Sequence, residues 1–191
     1  MDKEILYFPI NKCACTSFKK LFDDCDNIIV PNLNIDIHNN LHLMKNDFDK
    51  YYKFAIIRHP ISRFLSAVNM FIRDGKIKKK YAVYNVLCIM KKHKKYDLDG
   101  SKYSYIKRHT LPLTHELYCI YENNKIIPDY IVKLEEFDKN TVFNKLNIDI
   151  NKDIPRENKT TKYITKDNLT RGQLRFLYNY YKKDFEVFYK D

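Results

Sequence analysis

The segment Asn11–Ser17, NKCACTS, places a lysine, two cysteines, a threonine and a serine between a strand signal and a helix signal. Three chemistries use such residues: a metal site, a redox pair, or a cradle for an anion. A metal site would enlist Cys13 and Cys15, with Cys25 or His38. But C-x-C is not the usual pair of a structural zinc site, and no second pair follows. The redox motif is C-x-x-C, which is absent. An ordinary turn with small cysteines packed inside is the plainer alternative. The anion cradle fits best, because a strand-to-helix turn points free backbone N–H groups at one spot. Lys12 adds a mobile positive charge, and Thr16 and Ser17 add hydroxyl donors at the first helical turn. This is not a nucleoside triphosphatase loop, which sets its lysine late, between glycines. There is also no clear strand-end aspartate for magnesium.

A second segment, IIRHPISRFLSAVNMF, repeats the logic. Arg58 stands at a strand end and can pair with phosphate in a bidentate manner. Ser62 and Ser66 are one turn apart, off the apolar stripe. Arg63 either adds charge or faces solvent. Two anion grips at adjacent strand ends suit a nucleotide phosphorylated at both its 5′ and 3′ positions.

These segments need strands to carry them. Ile5–Pro9, Asn27–Val30 and Tyr52–Ile57 read as strands, and Thr16–Phe22 as a helix. Ile61, Phe64, Leu65, Val68, Phe71 and Ile72 form one apolar helical stripe. Further on, the pattern predicts a helix over Tyr81–Lys92 and strands over Leu117–Tyr121 and Tyr130–Leu134, the latter two joined by the turn ENNKIIPD. It predicts a helix over Asp138–Leu146 and irregular chain over Asn147–Lys162. A last helix starts near Thr170, where TRGQ has capping-box spacing, with Leu174, Leu177, Tyr178 and Tyr181 on one face. Strands feeding directly into helices imply an α/β fold with parallel strands. In such sheets ligands sit beyond the carboxyl ends of the strands, where both polar segments fall.

The whole chain sets outer bounds. Its 191 residues, 45% hydrophobic, suit one domain over 1–191, with room for a small lobe. A formal net charge of +11 favours a polyanionic partner without choosing one. No segment has the length of a membrane span, and the start MDKEILYFPIN is no signal peptide. The expectation is a soluble, cytoplasmic chain without an anchor. Five scattered cysteines, Cys13, Cys15, Cys25, Cys88 and Cys119, argue against a disulfide framework.

INKCACTS resembles the P-K-x-A-C-T-S signature of sulfotransferases that use 3′-phosphoadenosine 5′-phosphosulfate, and RHPISRFLSA resembles their R-x-P-x-x-R-x-x-S-A signature. The likeness is closest to the Golgi carbohydrate sulfotransferases. It implies an α/β fold with a central parallel sheet flanked by helices and a P-loop-like nucleotide-binding core, and no metal. It implies that Lys12, Cys13, Ala14, Cys15, Thr16 and Ser17 hold the 5′-phosphosulfate, and that Arg58 and Ser66 hold the 3′-phosphate. HTLPL, from His109 to Leu113, is similar to the family's H-x-x-P-Q, with Leu113 in place of glutamine. RENKTT resembles a late loop near the cofactor, so Asn158, Lys159 and Thr160 are expected to close over it. IVKLEEF and YYKKDFEVF give further echoes. Asn11 departs from the family, replacing the usual proline, and a Golgi-type anchor is not expected.

Sulfuryl transfer needs charge stabilisation on the leaving phosphate and a base for the acceptor hydroxyl. Lys12 fits the first task. His109 is the first candidate for the second, because histidine titrates near neutral pH. His115, Glu135 and Glu136 follow, while His38 and His42 suit packing or surface roles. The product would be adenosine 3′,5′-bisphosphate, and the partner a glycan or other hydroxyl acceptor, possibly acidic. Two other functions compete. A nucleic-acid-binding module without catalysis rests on charge alone, lacking recognition signatures. A nucleotide kinase lacks its glycine loop and its magnesium carboxylate.

Overall fold

The computed structural model describes residues 3–31, 45–92, 102–149, 151–155 and 161–190. The chain divides into two compact units, Met1–Arg58 with Leu113–Asn158, and His59–Pro112 with Lys159–Asp191.

The first unit is built on a four-stranded sheet of β1 (Ile5–Phe8), β2 (Ile28–Ile29), β3 (Tyr52–Ile57) and β6 (Tyr130–Lys133). The order is β2-β1-β3-β6 and every pairing is parallel. The expected parallel α/β core is thus present. β1 reads ILYF, apolar at every position, and all four residues are buried. That is the pattern of a strand covered on both faces. On one face Tyr7 packs on Phe22 at 5.0 Å and Phe54 at 5.8 Å between ring centroids. On the other, Phe8 meets Phe48 at 5.2 Å. Helices α1 (Cys15–Phe22) and α5 (Lys139–Leu146) contribute Phe18, Leu21, Phe143 and Leu146 to the first core. Asp138 caps α5 by accepting the Thr141 N–H at 2.8 Å.

One expected strand, Leu117–Tyr121, is not formed as such. Glu116–Tyr118 is a 3₁₀ turn, Cys119 takes a left-handed φ of 54°, and only then comes a short hairpin. Its strands are β4 (Tyr121–Glu122) and β5 (Lys125–Ile126). Asn123 and Asn124 turn it with φ of 49° and 61°, the doubly left-handed turn that asparagine tolerates. The segment read as a plain turn therefore contains β5.

The second unit is helical: α2 (Pro60–Arg73), α3 (Ala82–Lys92), α4 (Lys102–Thr110), α6 (Arg171–Tyr180) and α7 (Lys182–Phe188). Phe64, Ala67, Val68 and Phe71 of α2 are fully buried, beside Val86 of α3, Ile106 of α4 and Leu177 of α6. Pro60 starts α2, where its missing N–H costs nothing. Gly75, at φ +65°, closes it, the usual place for a left-handed glycine. Asn69 of α2 both donates to the Ile164 carbonyl at 2.9 Å and accepts its N–H at 2.8 Å. Thr170 and Gln173 form the expected capping box of α6. The predicted last helix breaks at Tyr181. Tyr178, expected on the apolar face with Leu177, is instead 42% exposed. No helix among the described residues is long and apolar enough to cross a membrane.

Candidate anion-binding site at the strand ends

β1 lies between β2 and β3 in the sheet. The chain leaves β1 through α1 to β2 on one side, and β3 takes the other side. Strand order therefore reverses between β1 and β3, and the crevice beyond such a switch point is where open α/β sheets bind ligands. The residues that follow these two strands are Ile10–Ser17 and Arg58.

The turn into α1 does without glycine. Lys12 and Ala14 take left-handed backbone conformations, φ 67° and 59°. For residues with a Cβ this costs roughly 1–2 kcal/mol each. The turn is closed by the Cys13 N–H donating to the Ile10 carbonyl at 3.1 Å, and Cys13 itself is fully buried. Left-handed residues in such turns swing successive N–H groups to one side, the geometry of an anion-binding nest. Ala14 is the N-cap of α1 and no side chain caps the helix. The first intrahelical bond is from the Phe18 N–H to the Ala14 carbonyl at 3.1 Å. The N–H groups of Cys15, Thr16 and Ser17 precede it and have no acceptor within the helix.

Arg58 belongs to this turn. Its Nη1 donates to the Lys12 carbonyl at 3.5 Å, the long end of hydrogen bonding. A guanidinium carries five donors, so this contact uses a small part of its capacity. The first turns of α1 and α2 carry no acidic side chain. What the strand ends offer is cations and hydrogen-bond donors, a set that fits a phosphate or sulfate group and not a metal cation.

The thiols do not change that balance. Burial pushes the Cys15 thiol pKa up, and the neighbouring Lys12 partly offsets this. Burial pushes Cys119 up to about 11. Both are neutral thiols at neutral pH, and none of the five cysteines is in a disulfide. Below the turn, Tyr7 is likewise raised well above the ordinary tyrosine value, first by burial and then by Cys15 and Cys13. Among the described residues no three His, Cys, Asp or Glu side chains cluster as a metal site would need.

Ser66 and His109 belong to the second unit. Ser66 is half-buried on α2. His109 is in the last turn of α4, a helix that sequence patterning missed. Its Nδ1 is 2.8 Å from the Tyr105 carbonyl and its ring is 4.5 Å from the Tyr105 ring. A carbonyl only accepts, so Nδ1 carries the proton and the lone pair is on Nε2. In His115 the roles are reversed. Its Nδ1 accepts the Leu117 N–H at 3.1 Å, so the neutral ring carries its proton on Nε2. Glu135 and Glu136 are exposed just after β6, and Glu136 pairs with Lys133 at 3.2 Å. Asn158, Lys159 and Thr160, with His38 and His42, lie outside the described residues.

Arg63 corrects the expectation of a solvent-facing or ligand-facing charge. It is fully buried in the helical unit. It donates to the Leu111 carbonyl and lies 5.8 Å from the centre of the Tyr181 ring. The Tyr181 hydroxyl donates to the Thr110 carbonyl at 2.8 Å. Two side chains thus hold the carboxyl end of α4, immediately after His109. A cation there also complements the helix dipole.

The family model of the sulfotransferase family matches residues 1–190. The chain therefore belongs to the sulfotransferase family, whose members transfer sulfuryl groups. No curated protein and no solved structure matched it.

Proposed function

We propose that the protein transfers a sulfuryl group from 3′-phosphoadenosine 5′-phosphosulfate to a hydroxyl acceptor on a carbohydrate. The observation that carries this is the glycine-free turn after β1. Its left-handed Lys12 and Ala14 and its tie to Arg58 assemble donors without carboxylates at the switch point of the sheet. The likeness of both signatures to the Golgi carbohydrate sulfotransferases favours a sugar hydroxyl. The net charge of +11 suits an acidic glycan.

In this reading the backbone N–H groups from Ala14 to Ser17 and the hydroxyls of Thr16 and Ser17 bind the 5′-phosphate end, with Cys13 and Cys15 part of the same turn. Lys12 holds its ammonium where charge develops on the leaving phosphate. Such donors are effective because the fold has already oriented them. Arg58 and Ser66 hold the 3′-phosphate, and Asn158, Lys159 and Thr160 cover the nucleotide. His109 accepts the proton of the acceptor hydroxyl at Nε2, the nitrogen left basic by the Nδ1–Tyr105 contact. The bound donor supplies an activated sulfuryl group on a good phosphate leaving group, and no metal takes part.

The test is a labelled-sulfate transfer assay with this donor against an array of sulfated and unsulfated glycans. Label on a glycan, dependent on the donor and lost in Lys12→Ala, is expected. Label on tyrosine peptides or small alcohols alone would overturn the carbohydrate assignment. No transfer to any acceptor, with the nucleotide bound, would overturn the catalytic one.

A further inference from the structure

The stretch from Arg73 to Tyr84, RDGKIKKKYAVY, holds five cations and one acid. The acid, Asp74, is paired with Arg73 at 2.7 Å. Lys76, Lys78, Lys79 and Lys80 are exposed and form no salt bridge among the described residues. A basic run alone is a solvated surface, but this one is interleaved with rings. Among the described residues six large apolar side chains are exposed. Five are tyrosines, and all five belong to the helical unit. Tyr81 and Tyr84, 52% and 65% exposed, stand three positions apart at the entry to α3 and so share a side of it. Lys80 Nζ lies 5.3 Å from the centre of the Tyr81 ring, and Lys79 Nζ 5.9 Å from that of Tyr163. Arg73 continues the series. Its pKa is raised first by the hydrogen bond to Asp74, and further by the nearby Tyr105 and Tyr163. Tyr105 in turn lies against His109, with ring centres 4.5 Å apart. One surface of the helical unit therefore runs from His109 through Tyr105, Arg73 and Tyr163 to the lysines.

We propose that this strip docks the acceptor, and that the acceptor is an acidic glycan several sugars long. Its sulfate or carboxylate groups meet Lys78, Lys79 and Lys80, and a sugar ring rests against Tyr163. This rests on the transfer reading above, in which His109 receives the acceptor hydroxyl, and adds to it where and by which groups the chain is held. Cation–π contacts are weak at exposed sites, so an incoming anion draws the lysines off the rings at little cost. A glycan fits better than a nucleic acid. A stacked base needs an open ring face, whereas His109 and Lys79 lie close to Tyr105 and Tyr163. The strip also leads to the proposed base, which a sugar hydroxyl must reach.

The test is calorimetry on the full chain, without donor. The probes are a sulfated chondroitin octasaccharide, uncharged maltooctaose and a single-stranded RNA of charge similar to the octasaccharide. The wild type should bind the sulfated octasaccharide at least tenfold tighter than either other probe. Combined Lys78→Ala, Lys79→Ala and Lys80→Ala should weaken it about tenfold or more and flatten its salt dependence. These side chains are exposed, so the melting temperature should hold. Tyr163→Leu keeps an apolar side chain without the ring and should weaken the same probe about fivefold. Adenosine 3′,5′-bisphosphate affinity should be unchanged in both variants. Where transfer is measured, KM for the octasaccharide should rise and kcat stay within about twofold. No binding by the wild type, unchanged binding in the lysine variant, or RNA bound as tightly as the octasaccharide would overturn the inference. So would full binding in Tyr163→Leu, which would leave a charged surface and no sugar site. Octasaccharide binding that follows these expectations in a protein that transfers nothing would instead overturn the transfer reading and leave the docking strip in place.

Discussion

Arg58 and Arg63 sit five positions apart in RHPISR, yet the fold gives them opposite work. Arg58 ends the first of the two segments of the sheet unit, half-buried, with one long contact to the Lys12 carbonyl. Arg63 is fully buried in the helical unit, bonded to the Leu111 carbonyl and set against Tyr181. The first, in the function proposed, keeps its remaining donors for a ligand. The second serves the protein itself, satisfying a helix end that would otherwise be buried without a partner. The same split runs through the two units. In the sheet unit the strand-end turn carries backbone strain and donors. In the helical unit the buried charges Arg63, Lys107 and Asp184 are part of the interior.

That contrast can be broken by substitution. The largest effect is expected from His109→Ala, which should lower turnover by about 10²–10⁴-fold, the range of general-base catalysis. It should leave nucleotide affinity intact and abolish the loss of rate on acidification. A retained rate and acidic limb would move the base to Glu135 or Glu136. Lys12→Ala should lower transfer by about 10²–10³-fold, as removal of a preorganised charge-stabilising donor does elsewhere. Single-turnover measurements would detect it.

The arginines sharpen the comparison. Arg63→Ala should cost about 3 kcal/mol of stability, read by denaturant unfolding, because it leaves a buried carbonyl unsatisfied and a space behind it. Arg58→Ala should leave unfolding nearly unchanged and weaken adenosine 3′,5′-bisphosphate by about tenfold or more. If Arg58→Ala unfolds the protein while affinity survives, the two roles have been exchanged.

The strand-end half of this contrast was readable in the sequence. Lys12, Thr16, Ser17 and Arg58 follow strands whose apolar runs, ILYF and YKFAII, are unambiguous, so their position at the strand ends follows from local pattern. Arg63 was not readable. It lies opposite the stripe of Ile61, Phe64 and Val68, and local periodicity assigns such a residue to solvent. The buried set of α2 in fact extends to Arg63, Ala67 and Asn69. Their polar partners, Leu111 and Ile164, are 48 and 95 residues away in sequence. Helix α4 was missed for a related reason. KYSYIKRHT has a mean hydropathy well on the polar side, yet Ser104, Lys107 and Thr110 are buried. Thr110 is satisfied by the Ile106 and Lys107 carbonyls at 3.2 and 3.1 Å. The left-handed turn escaped notice because glycine is its usual signal, and Lys12 and Ala14 adopt the conformation without it.

The central claim is that the two strand ends grip a nucleotide phosphorylated at both ends. The most direct measurement is calorimetric titration of the wild-type protein, without magnesium, with adenosine 3′,5′-bisphosphate and with adenosine 5′-monophosphate. Binding of the bisphosphate at least tenfold tighter is predicted, the weight of one charge-assisted phosphate contact. Equal affinity for the two, or binding of the bisphosphate only when magnesium is added, would contradict it.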